Sequence, residues 1–210
     1  MSLENDASRA AEDLARDLAV ITQVVLRERQ SRDRGWWDVL ACQFWPDSRV
    51  DLSWYHGDGP GFVEASRRIY ERGSRPLHRP FAPAIDLQGS RAHAELTAQS
   101  WSTFEHKGLP MNLHCNMRLN YRLERRSGEW RIFAFTSIYE DAYITAQDAR
   151  QTVDIDWEEL GGFRKSYAAL TWVLRQRGAD VSQDELGVDR PDAVEAYYAA
   201  TRAWLLQEDL

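Results

Sequence analysis

Two side chains in this sequence are candidates to move a proton: Asp33, in RQSRDRGWWDV, and His78, in PLHRPFAPAIDL. An imidazole with an ordinary pKa near 6.5 takes up and returns a proton near neutral pH. A carboxylate on its second nitrogen fixes the tautomer and stabilises the cation that forms. Each residue also has a structural reading. Asp33 stands just before an apolar stripe, where Asp is a preferred helix cap, and His78 stands at a strand entrance, where an inert, hydrogen-bonded imidazole is ordinary. Asn112, His114 and Asn116 share one face of a later alternating stretch, and with Tyr55 they could polarise a substrate carbonyl; that face could equally meet solvent. His56 reads as a turn residue, and His93 and His106 read as surface. The five His and two Cys do not cluster at ligand spacing, so no metal is expected. No Lys-Ser/Thr follows the glycines of HGDGPG, so they are no phosphate loop, and no cofactor is expected.

The elements that must carry these residues follow from periodicity. Leu14, Leu18, Ile21 and Val25 stripe a first helix over 5–28, with Glu12, Asp13, Arg16 and Asp17 on a solvated face. Residues 29–35 bend at Gly35. Trp36, Trp37, Leu40, Ala41 and Phe44 stripe a second helix, which Pro46-Asp47-Ser48 breaks. Val50, Leu52 and Trp54 then alternate with Asp51, Ser53 and Tyr55 as a half-buried strand. A short helix from Phe62 to Tyr70 ends at Gly73. Residues 76–141 read as strands, with Pro76, Pro80 and Pro83 marking an edge and turns at Gly89-Ser90, Lys107-Gly108 and Ser127-Gly128. In the longest strand the odd positions from Met111 to Leu123 are apolar. In the last, 129–139, Trp130, Ile132 and Ala134 face one way, and Phe133 and Phe135 the other. Residues 142–160 read as irregular to weakly helical, and helices follow over 162–177 and 190–207. Helices first and antiparallel strands afterwards mean α+β.

Composition narrows the function. The chain has 210 residues, 43% of them hydrophobic, with nine Trp, eight Tyr and seven Phe: an aromatic core, or a ring-lined cavity suited to a flat apolar ligand. A formal charge of −7 with scattered Arg argues against nucleic acid. No apolar run is long enough for a membrane span, and the acidic start is unlike a signal peptide. Cys42 and Cys115 read as reduced core thiols, so a cytoplasmic protein is expected.

Asp33, Arg34 and Trp37, followed by Phe44, Pro46 and Asp47, resemble the entry segment of the SnoaL-like branch of the NTF2-like superfamily, to which scytalone dehydratase, hexachlorocyclohexane dehydrochlorinase and bile-acid dehydratases belong. His78, with Gly89 and Ala92 eleven and fourteen residues on, resembles the family's second motif. The resemblance spans about residues 8–141. It implies an NTF2-like (cystatin-like) cone over 1–145, a curved antiparallel sheet wrapped around N-terminal helices. Residues 146–210 would be a helical extension that caps the mouth of the cone or clasps a neighbouring subunit, the clasp being favoured. It also implies a homo-oligomer, dimer or trimer, and a cofactor-free Asp33–His78 dyad acting as a dehydratase- or isomerase-type lyase. The substrate would be a small apolar molecule, polycyclic ones included, held by Trp37, Trp54, Tyr55, Asn112, His114 and Asn116. One departure matters: relatives often carry Tyr or Lys five residues before the Asp, where this chain has Glu28. That motivates the alternatives, a non-catalytic binding module or oxygenase small-subunit-like protein, or a purely structural oligomer. Dyad side chains out of reach would favour the module, and a solid interior the structural oligomer.

Overall fold

The computed structural model describes residues 3–152 and 154–207, with side chains from residue 9 onward, so the outermost residues of both expected segments, 1–2 and 208–210, lie outside it. Helix α1 (Leu3–Arg34) leads into α2 (Trp37–Ala41), then β1 (Phe44–Leu52), β2 (Tyr55–Gly57), α3 (Gly59–Glu71), β3 (Leu77–Pro80), β4 (Ala84–Gln88), β5 (Arg91–His106), β6 (Leu109–Arg126) and β7 (Glu129–Ala146). Helices α4 (Trp157–Gly161), α5 (Ala168–Gln176) and α6 (Pro191–Leu205) complete the chain. One sheet has the order β2-β1-β7-β6-β5-β3, with β4 also paired to β5. Neighbouring strands are antiparallel except β1 and β7. Among the described residues no helix is long and apolar enough to cross a membrane.

The first helix runs further than its apolar stripe, through the polar segment RQSRDR to Arg34. Gly35 ends it at φ 72°, with its N–H donated to the Arg32 carbonyl and the Trp36 N–H to that of Ser31. This is the paired closure that a left-handed glycine permits. Asp33 therefore sits in the last turn of α1, not at an N-cap. A carboxylate there faces the negative end of the helix dipole, so something else holds it. The extra turns are polar yet buried: Glu28, Arg29, Ser31 and Arg32 all point into the molecule. Leu14, placed on the stripe, is exposed, whereas Asp17, placed in solvent, accepts from Arg125 and from the Trp130 indole.

The second helix is shorter than predicted. Phe44, Pro46, Asp47 and Ser48 belong to β1, and the β1–β7 register shifts between Phe44 and Arg49. That irregularity accommodates a proline with no N–H to give. Pairing with β6 carries β7 to Ala146, through residues expected to be irregular. A further register shift leaves Phe133 without a partner, so Trp130, Ile132 and Phe135 are all buried, and Phe133 stacks on Trp204 outside the sheet. The expected grouping of Ala134 with Trp130 and Ile132 fails at this bulge. Cys42 is exposed, not a core thiol, whereas Cys115 is buried. His93 is buried against Asn120 rather than at the surface, and the half-buried His106 reaches the Asp154 carbonyl.

Two of the C-terminal helices pack on the sheet of this chain. α5 lies against β6 and β7, with Trp172 and Val173 buried beside Leu113. α6 covers part of the outer sheet face: Arg118 donates to the Tyr198 hydroxyl (2.9 Å), Arg122 to Thr201 (2.8 Å), and Arg91 to the Trp204 carbonyl (3.0 Å).

Close packing at α3 gives a first prediction. A Cβ on Gly59 would lie 2.6 Å from Phe44 Cβ. Gly59→Ala is expected to cost about 1–3 kcal/mol by overpacking, read as a lower urea midpoint with an unchanged slope.

Candidate active site

The closure of α1 at Gly35 sets Asp33 beside β3, an edge strand whose His78 pairs with Ser100 of β5. The carboxylate is fully engaged by this one residue. Oδ1 lies 2.6 Å from His78 Nδ1, and Oδ2 accepts from the His78 backbone N–H at 2.6 Å. Both side chains are at least nine-tenths buried. With Nδ1 giving its proton to the carboxylate, Nε2 is the basic nitrogen, and the His78 side chain forms part of a cavity wall.

That cavity has a volume of about 490 Å³. Its apolar wall comes from the inner sheet face, Leu113, Met117, Leu119 and Phe135, with Trp54 beside β1 and Leu170 and Leu174 of α5 across the opening. The polar positions are Arg29, Arg32, His78, Ser100, Ser102, Ser137 and Tyr139, with Ser74 and the exposed Arg72 and Arg177 also in the lining. Arg177 is held by Ser74 and the Thr103 carbonyl, so the C-terminal segment is fastened to the far rim.

The interior charges are unequally matched. Glu28 is fully buried, forks onto Arg29 and accepts from the Tyr121 hydroxyl at 2.9 Å. Burial works against the Arg29 charge, but Glu28 outweighs it and the guanidinium pKa is raised. Arg32 has no such partner: burial, helped by the Arg29 charge, brings it down to about 10. For His78, burial is the main influence and lowers the pKa below 6.5; the Asp33 hydrogen bond opposes this by less, and Arg29 lowers it further. For Asp33, burial acts upward but is outweighed by the hydrogen bonds from His78 and the Arg29 charge, so its pKa is lowered. At neutral pH the pair is therefore a neutral imidazole on a carboxylate.

A pH dependence of stability follows. Both folded-state pKa values are depressed, so the stability they carry is complete above the unfolded values and is lost as pH falls through the folded ones. Urea titrations are expected to show stability falling from about pH 6.5 downward as the unfolded chain takes the proton that His78 refuses, with His114, also lowered by burial, adding to the slope. Asp33 adds a further loss below about pH 3.9. His78→Asn should flatten the first part; an unchanged slope there would rule His78 out as its source.

The other expected site residues separate. Trp54 stands on the cavity wall. Trp37 packs edge-on against Tyr70, and Tyr55 donates to the Asp58 carbonyl; neither reaches the cavity. Asn112, His114 and Asn116 are on the opposite sheet face from Leu113 and Met117. There Asn112 accepts from Trp101, Asn116 donates to Asp141, and His114 stacks on Tyr143. Strict alternation puts them out because the odd positions are in. Arg29, Arg32, Ser137 and Tyr139 were not foreseen. The one available signal was four arginines within RERQSRDR, a density a plain linker does not need.

A family model of the SnoaL-like domain matches residues 13–136, more than half of the chain. Pea pathogenicity protein 2 of Fusarium vanettenii is 24% identical over 190 residues, covering 85% of this chain and 81% of that protein. Among solved structures, the type 3 hexachlorocyclohexane dehydrochlorinase of Novosphingobium barchaimii superposes with a TM-score of 0.55 at 14% identity, over 71% of this chain and 99% of that one. An NTF2-like protein with a cystatin-like fold from Novosphingobium aromaticivorans gives 0.50 at 17%, over 65% and 88%. At such identities the likeness to these structures is one of fold.

Proposed function

This chain belongs to the SnoaL-like family, and from that premise we propose that it is a cofactor-free acid–base lyase or isomerase acting on a small, largely apolar molecule. The observation that carries the reading is the 2.6 Å contact between His78 Nδ1 and Asp33 at the wall of an apolar cavity. His78 Nε2 takes a proton from carbon. The electron pair left behind forms a double bond as a β-substituent departs with its own pair. Where the departing group is hydroxide, the imidazolium returns the proton to it and water leaves; where it is halide, the proton passes to solvent. Asp33 keeps the tautomer and stabilises the cation between the two steps. The apolar wall keeps water from competing for the base. Returning the proton to a different carbon would make the same pair an isomerase.

The residue expected to polarise the substrate is absent: Glu28 is committed to Arg29 and Tyr121 and has no freedom to act as an acid. That supports the second reading, a ligand-binding module that does no chemistry. One experiment separates them. Cyclic compounds bearing hydroxide or halide β to an acidic C–H are incubated with the protein in deuterated water. Mass spectrometry follows loss of water or halide and uptake of deuterium. The enzyme reading predicts turnover or exchange that Asp33→Asn abolishes; tight binding with neither would leave the module.

A further inference from the structure

We infer that the cavity takes an organic monocarboxylate, with its carboxylate on the guanidinium of Arg32 and its apolar body along Trp54 and the inner sheet face. This rests on the reading above only in placing the ligand in the same cavity.

The inference comes from the balance of buried charge. Four ionised side chains crowd the end of α1, and three are fully answered: Arg29 by Glu28, Glu28 also by Tyr121, and Asp33 by both donors of His78. Arg32 is the remainder. It is only 8% exposed. Among the described residues no carboxylate lies within ion-pair reach of it, and its only hydrogen bond runs from Nε to Ser66 Oγ, at 3.3 Å. Its guanidinium lies over the Trp54 ring, 5.1 Å from the centroid. A guanidinium has five N–H donors, so both terminal amino groups are left for something else. A bare buried cation is strongly unfavourable, and it becomes intelligible if an anion completes it.

The cavity indicates which anion. Arg32 supplies one uncompensated charge and a planar fork, which matches a carboxylate's two oxygens. The inner-sheet wall beyond it, with Leu113, Met117, Leu119 and Phe135 and with Trp54 alongside, is aromatic and aliphatic, which suits an apolar body. Ser137, on the same wall, is buried with no partner for its Oγ. Arg72 and Arg177, exposed in the lining, would draw an anion inward although the chain as a whole carries −7.

The test compares 2-naphthoate with the uncharged 2-naphthamide, by calorimetric titration at pH 7.5. A charge-assisted bond to a buried Arg predicts that the wild-type protein binds the carboxylate about 10- to 100-fold more tightly. Arg32→Gln should bring the two affinities within about threefold of each other. Equal wild-type affinities, or a preference that survives in Arg32→Gln, would overturn the inference. Should Arg32→Gln fail to fold, the wild-type comparison still decides, since it needs no variant. Binding is read without turnover. A carboxylate preference in a protein that turns nothing over would therefore retire the acid–base reading alone, and turnover with equal affinities would retire this one alone.

Discussion

His78→Ala is expected to lower the turnover number by about 10²–10⁴-fold on any substrate the wild-type protein converts, the usual range for a positioned general base. His78 offers one nitrogen to the cavity side because Asp33 holds the other. Asp33→Asn should lose a comparable amount by a different route. Both carboxylate oxygens now accept, one from the ring and one from the backbone N–H of His78. An amide has one acceptor. If its oxygen keeps the backbone N–H, its amino group faces Nδ1 and forces the tautomer in which Nε2 carries the proton and cannot take another. The double variant should be no slower than the worse single one, because the two residues act as a unit. The wild-type profile of kcat/KM should fall on the acid side below pH 6.5, as burial of His78 requires. Steady-state kinetics on one converted compound checks all four statements. Single variants within threefold of wild type would end the dyad mechanism.

Glu28→Gln is expected to be the most damaging conservative substitution for stability. The side chain is fully buried, answers Arg29 through a fork and accepts from Tyr121. Glutamine keeps the shape, removes the charge and turns one of the two acceptor oxygens into a donor. Arg29 and Arg32 then share one interior with no carboxylate to offset either except Asp33, which His78 occupies. Breaking a buried pair by removing one partner costs about 3–5 kcal/mol. At about 2–4 °C per kcal/mol for a chain of this size, the melting temperature should fall by about 6–20 °C. Tyr121→Phe, which deletes one hydrogen bond to a charged group and leaves the pair intact, should cost about 1.5–3 kcal/mol. Thermal and urea unfolding of both variants tests the ranking, and a Glu28→Gln loss below 1 kcal/mol would mean that the interior carries no appreciable net charge. The same contacts leave Glu28 no free acceptor capacity, since both its oxygens are spent on Arg29 and Tyr121.

How much of this was readable depends on how local each cause is. The alternation of β6 identified its inner face, because a strand packed on one side imposes a period of two; Asn120, off that parity, is buried as well, against His93. The same rule failed on β7, where the bulge at Phe133 changes which parity faces inward. A bulge is set by the partner strand's register, which no single strand's pattern records. The segment RQSRDR read as a bend because buried helices are normally apolar, whereas here its buried polar side chains find partners outside the segment, Arg29 on Glu28 and Asp33 on His78.

The order of elements, the α+β class and the two motifs with Asp33 and His78 at their places are properties of the chain alone, since spacing and periodicity are written along it. Whether those two side chains meet, which arginine is left unanswered, and that α6 rather than solvent covers part of the outer sheet were decided only by folding. Each depends on atoms tens of residues apart coming within a few ångströms. Pairing of charge in a buried space is a sum over all neighbours, and no stretch of sequence contains that sum.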